Sequence, residues 1–552
     1  GAGGGTAGAG GHATGGAGGG SAGAGGQSAL QADVQNIVII YAENRSFDGL
    51  FGNFPGANGL STVLNTDGTP NSSYVPQKDR DGTTPLSKLP RTWGGATAAG
   101  NPIVVPEMNT DNIMNGPFEI ETTFHDVLGA YLTTADVTMD IAHKFFENQM
   151  ELNGGTNDMF ASWEDAGGIT LGHWDYSKSK LYALAQEYVL ADNFFMGAYG
   201  GSFLNHQYLI CACAPTAPTA WVTATTTTPA ATINVLTASP NSKGVPQLVS
   251  TGSPASALDG KPVLKSGAFA PLDYFGSGDG YRAVNTIQPA YQPSGNYPAT
   301  GATAGNLNLA DPNNGSTLPP QTQTTIGDLL TAQGVNWAWY ATAWDAAIAD
   351  ATANPHAVIY APAGPRQSPD FQTHHQPFNY YAAFDPNAEA TARAAHLKDY
   401  TDMVSAISAG TLPAVSWYKP TGNLNQHPGY ANLDDGDEHI ADLVAKLQAG
   451  PQWNHMVIIV TYDEYGGQWD HVASPKGDLL GPGERIPAII ISPYAKKGTV
   501  DHTQYDTGST LRLITKRFGL PTLPGLTARD TALTAVSGGK AMGDLTNALT
   551  LP

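Results

Sequence analysis

Charge is scarce in this chain. Only 13% of its 552 residues are charged, and basic residues are the rarer kind, 26 against 47 acidic. A net charge of −21 argues against nucleic acid as a partner, because binding phosphates needs a basic stripe. Anionic membranes would repel such a surface as well. Cysteine is nearly absent. Cys211 and Cys213 are too few for a structural zinc site and too close for an easy disulfide, so both are expected as small buried residues of a helix. Long apolar runs are also missing, and nothing approaches the roughly 18 residues that mark a membrane-spanning helix. Glycine and proline abound instead, at 65 and 39 residues, which implies long loops around a core fed by 41% hydrophobic residues.

The chain opens GAGGGTAGAGG, and residues 1–27 are so rich in Gly, Ala and Ser that a disordered tether is expected. A start without Met suggests a removed leader, hence export, as a periplasmic, secreted or lipid-anchored protein. Residues 28–552 are expected to form one catalytic domain. Within it, residues 214–325 are rich in Thr, Pro, Ala and Asn and read as an insertion or cap.

The organising stretch is Asn36 to Gly52, NIVIIYAENRSFDGLFG. Ile37 to Ile40 read as a strand buried on both faces, as in a parallel sheet. Glu43 and Asn44 follow at its C-terminal end, the edge where open α/β sheets bind ligands. Met456 to Val460 repeat the pattern and end in Asp463 and Glu464. Two such pairs supply the parts of one hard-cation site.

Other segments add chemistry. Residues 136–152 are expected as a helix with Asp140 and His143 on one side. Leu181 and Leu184 mark a helix capped near Ser177, leading to a strand at Tyr188 to Asp192. Tyr199-Gly200-Gly201-Ser202 turns into FLNHQYLICA, which places Ser202 at a helix N-terminus, where backbone N–H groups favour an anion. His374 and His375 sit in a loop, His427 in another, and His439 is expected to start the helix HIADLVAKL.

Together AENRSFDGLFG, GGSFLNH, HHQPF, KPTGNLNQHPGY, GDEHIADL, TYDEYGGQWDHV and DHTQYDTGSTLRLITKRFGLP resemble a bacterial phosphoesterase family. It includes non-haemolytic phospholipases C and respiratory-burst-inhibiting acid phosphatases of the alkaline phosphatase superfamily. The resemblance implies an α/β sandwich with a central, mostly parallel sheet flanked by helices. It also implies Glu43, Asn44, Asp463 and Glu464 as ligands of one divalent metal ion, with Ca²⁺ or Mg²⁺ favoured by the oxygen donors. Ser202 would be the nucleophile, Asn205 would face the phosphate, and His143, His374, His375 and His427 would line the pocket. His439, His471 and His502 lie in similar motifs, where a supporting role is the simpler expectation.

The chemistry expected is hydrolysis of phosphate monoesters through a phosphoserine, as an acid phosphatase. Two departures bear on that expectation. Ser202-Phe203-Leu204-Asn205-His206 lies closer to the phosphatase branch, whereas Asp463-Glu464 resembles the phospholipase pattern. A phospholipase C acting on phosphodiesters, or a catalytically silent surface binding protein, are the alternatives.

Overall fold

The computed structural model describes residues 28–218, 252–263, 274–277, 280–301, 305–314, 316–363 and 368–551. The expected tether at 1–27 and residues 219–251 of the expected insertion lie outside the described residues.

Eight strands form the central sheet: β1 Asn36–Ala42, β2 Val189–Ala191, β3 Trp337–Ala341, β4 Leu397–Asp399, β5 Val415–Lys419, β6 Met456–Tyr462, β7 Ala488–Ile491 and β8 Thr499–Asp501. Their spatial order is β4-β3-β5-β1-β6-β7-β2-β8. Only β7 runs against its neighbours, so the sheet is the mostly parallel one anticipated. β1 lies at its centre, parallel to β5 on one side and β6 on the other. Every residue of β1 and β6 is buried, which is why both read as unbroken apolar runs rather than alternating ones. No helix of the described residues is long and apolar enough to cross a membrane.

Six helices matter to the site: α1 Phe145–Leu152, α2 Lys180–Glu187, α3 Ser202–Cys211, α4 Ile326–Ala332, α5 Leu433–Ala449 and α6 Thr507–Phe518. Helix α2 packs against β7 and β2, α4 against β3, and α3 against α6. The Ser179 hydroxyl caps α2, two residues beyond the expected cap. Helix α5 begins at Leu433, not His439, because the Asn432 side chain accepts from Asp435 N and starts the helix early.

Two expectations fail for local reasons. Residues 136–144 are not helical. Met139 N donates to Ala96 O and Ala98 N to Val137 O, so this backbone is committed to a neighbouring loop, and the helix starts only after Lys144. Cys211 and Cys213 are joined by a disulfide. Ala212 takes a left-handed conformation (φ 50°) at the end of α3, and that reversal brings the two Cα atoms to 5.1 Å, within disulfide range.

Behind the loop that follows β6 lies a buried acidic cluster. Glu151, Glu164 and Glu484 are 0–1% exposed, and each has one oxygen without a hydrogen-bond partner. Their other oxygens accept from Tyr465 OH, Asp165 N and Asn148 Nδ2 at 2.8, 2.8 and 2.9 Å. Burial pushes all three carboxyls up, and neighbouring acids add to the rise at Glu164 and Glu484. The native state therefore holds protons that the unfolded chain releases above about pH 4.3, and this cluster costs stability as pH rises.

Two outcomes test this description. Ile39→Ala, in the fully buried centre of β1, should lower unfolding free energy by about 2–5 kcal/mol in urea titrations. Glu164→Gln should raise Tm over the wild type at about pH 8 but hardly at about pH 4, by calorimetry. An equal change at both pH values would show that carboxyl ionisation is not the cost.

Candidate active site

The site is assembled by strand register. Ala42 lies beside Tyr462, so the residues that follow come out side by side, Glu43 next to Asp463 and Asn44 next to Glu464. Backbone hydrogen bonds continue past the strands, from Asp463 N to Ala42 O and from Arg45 N to Glu464 O. Asp463 Oδ1 accepts from both Asn44 N (3.0 Å) and Glu464 N (2.8 Å), which orients the second pair against the first. All four side chains are at most 1% exposed.

Ser202 arrives from the other side. Gly201 supplies the cap position of α3, so Ser202 is the first helical residue and its hydroxyl is free of capping duty. Ser202 Oγ lies 3.0 Å from Glu464 Oε1 and 3.3 Å from Asn44 Oδ1. Gly200 makes this approach feasible. It adopts φ +83°, and a Cβ there would sit 2.4 Å from Phe145 N. Ser202 lines a cavity of about 570 Å³ together with Asp140, His143, Asp165, Asn285, Gln372, His374 and His427. Asn285 belongs to the expected insertion and also accepts from Phe145 N at 3.1 Å.

The histidines divide into two sets. His143, His374 and His427 line the cavity, whereas His375 is buried below it with Nε2 2.5 Å from Glu43 Oε1. His143 Nδ1 faces Ile141 O and its Nε2 lies 3.2 Å from Asn44 Nδ2 and 3.4 Å from Glu464 Oε1. His427 Nδ1 faces Pro428 O, and its ring stacks on Tyr430 at 4.3 Å. Asp140 joins His143 and His427, with ligand atoms within 4.8 Å of one another, through the extended segment rather than a shared helix face. Burial holds His374, His375 and His427 below their ordinary range. It opposes charge on His143 too, but Glu464, Asp140 and Asp463 outweigh it and push that imidazole up to about 9. Burial likewise raises Asp463 to about 7 and Glu464 to about 8.

Asn205 does not face the cavity. Its amide donates to Ala198 O, Gly200 O and Gly201 O, and its Oδ1 accepts from Ala198 N. A residue one turn into a helix leans back over the preceding loop, and Asn205 spends its whole hydrogen-bonding capacity there. It holds the loop that carries Ser202.

Sequence reasoning left three contributors without a role at the centre. Lys419, at the end of β5, places Nζ 2.8 Å from Glu43 Oε1. His206 lies one helical turn beyond Ser202, with Nδ1 2.7 Å from Ser202 O and 3.8 Å from Asp463 Oδ2. Tyr430 OH donates to Glu43 Oε2 at 3.2 Å. The signals in the sequence were the i,i+4 spacing of His206 from Ser202 and the motif KPTGNLNQHPGY, which Lys419 and Tyr430 bound. His439, His471 and His502 are engaged elsewhere, with Tyr418 OH, Asp48 and Asp192.

The donors fit a cation. His206 Nε2, both ring nitrogens of His374 and Asp463 Oδ2 are buried polar atoms without hydrogen-bond partners, gathered around Glu43. Two overlapping ligand groups share that carboxylate, Glu43–His374–His375 and Glu43–His206–Asp463. Imidazole nitrogens thus stand among the expected oxygens.

Comparison with known proteins supplies the family. Phospholipase C B of Mycobacterium tuberculosis is 23% identical over 531 residues, covering 90% of this chain and 75% of that protein. Non-hemolytic phospholipase C of Pseudomonas aeruginosa is 27% identical over 175 residues, 26% of this chain and 25% of its own. A phosphonate monoester hydrolase from Silicibacter pomeroyi is 24% identical, covers 18% of this chain and 19% of its own, and superposes with a TM-score of 0.14, an overlap too small to carry an argument. The Phosphoesterase family matches residues 34–521, from the start of β1 to beyond α6. That span holds both acidic strand ends, the serine-bearing helix and the cavity, and the chain belongs to the Phosphoesterase family.

Proposed function

We propose that the protein is a metal-dependent acid phosphatase that hydrolyses phosphate monoesters through Ser202. The observation that carries this reading is the seat of Ser202 Oγ, at the N-terminus of a ten-residue helix, between Glu464 and Asn44 and open to the cavity. Glu43, Asn44, Asp463 and Glu464 would hold a divalent cation, which neutralises charge on the nucleophile and on the phosphoryl oxygens.

The chain's own groups account for the rest. Ser202 Oγ donates to Glu464 Oε1 at 3.0 Å, and a cation held by that carboxylate would keep it ionised, which gives the serine proton an acceptor. The helix N-terminus faces the non-bridging oxygens. Attack by Oγ forms the Oγ–P bond and breaks the ester P–O bond on the opposite side. His143, pushed towards its charged form, gives Nε2–H to the departing alcohol oxygen. Water then enters where the alcohol left, transfers a proton to His143, and displaces from phosphorus Ser202 Oγ, which takes its proton back from Glu464. Two in-line displacements retain configuration at phosphorus.

The monoester preference is supported by the cavity wall. Among the described residues that line it, Phe203 is the one Phe, Tyr or Trp, and it is 1% exposed, so these residues offer no aromatic cage for a quaternary ammonium headgroup. The second reading, a phospholipase C-type diesterase, is favoured by the named relatives and by the carboxylates of Asp140 and Asp165 in the lining.

Purified protein assayed side by side on p-nitrophenyl phosphate and p-nitrophenylphosphorylcholine should turn over the monoester faster, with an acidic optimum. Faster turnover of the diester would move the protein to the phospholipase reading, and turnover of neither would leave a binding protein. Ser202→Ala should lower kcat by roughly 10³–10⁶-fold with an unchanged thermal melt. Dialysis against a chelator should abolish hydrolysis, and divalent cation should restore it. Activity that survives complete metal removal would refute the cation's part.

A further inference from the structure

We propose that the ammonium of Lys419 is a built-in second cation, lodged between Glu43 and Asp463 where a second metal ion would otherwise bind, so that the centre takes one divalent ion. This inference rests on the metal-dependent reading above.

The strand register delivers the group. Tyr418 lies beside Ile40, so Lys419 leaves β5 level with Tyr41, one residue before Ala42 and the acidic end of β1. Lys419 Nζ is 2.8 Å from Glu43 Oε1, 3.8 Å from Asp463 Oδ2 and 3.5 Å from Ala42 O, and lies over the Tyr41 ring at 5.3 Å. The residue is 0% exposed and is not among those lining the cavity. Glu43, His206 and Asp463, the residues around it, present ligand atoms within 4.8 Å of one another. Two carboxylates and an imidazole at that spacing form a donor set for a transition metal. The ammonium lies against both carboxylates of that set, 2.8 Å from Glu43 Oε1 and 3.8 Å from Asp463 Oδ2.

A lysine without solvent is costly unless anions need it. Glu43 and Asp463 are such anions, buried at adjacent strand ends, and one metal ion shared with Asn44 and Glu464 leaves part of their charge unbalanced. A tethered ammonium balances it in a way no chelator can remove. It is also buried outside the cavity lining, away from a substrate oxygen. Lys419 is therefore a positioning residue that acts through Glu43 and Asp463, and its signature is the number of ions the centre holds.

The experiment counts metal rather than turnover. Full-length protein is stripped with chelator, dialysed against Mn²⁺ or Zn²⁺, and its bound metal measured by inductively coupled plasma mass spectrometry. The wild type and Lys419→Arg should hold one ion per chain, and Lys419→Met should double that number. Two ions in the wild type would overturn the proposal, as would a count in cooperatively melting Lys419→Met no higher than in the wild type. If Lys419→Met does not fold, the wild-type count decides. No bound metal in the wild type would overturn this proposal and the metal reading together. Hydrolysis of the two p-nitrophenyl substrates is scored separately, so a failed phosphatase assignment leaves the ion count interpretable.

Discussion

The pairing of β1 with β6 is the constraint on which the site depends. Seven residues of each strand run in parallel register from Asn36 beside Met456 to Ala42 beside Tyr462. Parallel strands end together on the same edge, so two acidic pairs far apart in sequence meet there as neighbours. A slip of one residue would turn every side chain to the opposite face and separate them. The apolar runs that bury both strands therefore also aim the donors.

Concentrating charge in a dry place creates the second constraint. Glu43, Asp463 and Glu464 have lost their water, and the chain surrounds them with Lys419, His375, His427 and His143. Burial acts oppositely on the two kinds of group, raising Asp463 and Glu464 and lowering His374, His375 and His427. His143 escapes because three carboxylates face it. A neutral imidazole is a ligand or acceptor and a charged one a proton donor, so the same side chain serves different ends at different depths.

The seat of Ser202, the proposed nucleophile, depends on backbone more than on its own side chain. Gly200 permits the turn, Asn205 holds the backbone of Ala198, Gly200 and Gly201, and the Cys211–Cys213 bridge closes the far end of the helix. Ser202 contributes only a hydroxyl to this arrangement. Its position comes from the glycine turn and from Asn205, which is not among the residues lining the cavity.

Much of this was legible in the sequence because it is local. Unbroken β-branched runs announced β1 and β6, glycines before Ser202 announced the turn, and long motifs announced the family. The helix expected over residues 136–152 began only at Phe145, and Asn205 turned out to serve the loop, because backbone and amide partners lie elsewhere in the chain. The Cys211–Cys213 bridge hung on one left-handed residue that composition does not reveal. Lys419 and Tyr430 bound the motif KPTGNLNQHPGY, but nothing local in it showed that both reach Glu43. Hydrophobic period and turn chemistry act between near neighbours, so the sequence by itself determined the strands, the serine turn and the acidic ends. Which imidazoles stay neutral, and which cation sits beside Glu43, depend on burial and on distances across the sheet, and those only the tertiary structure decided.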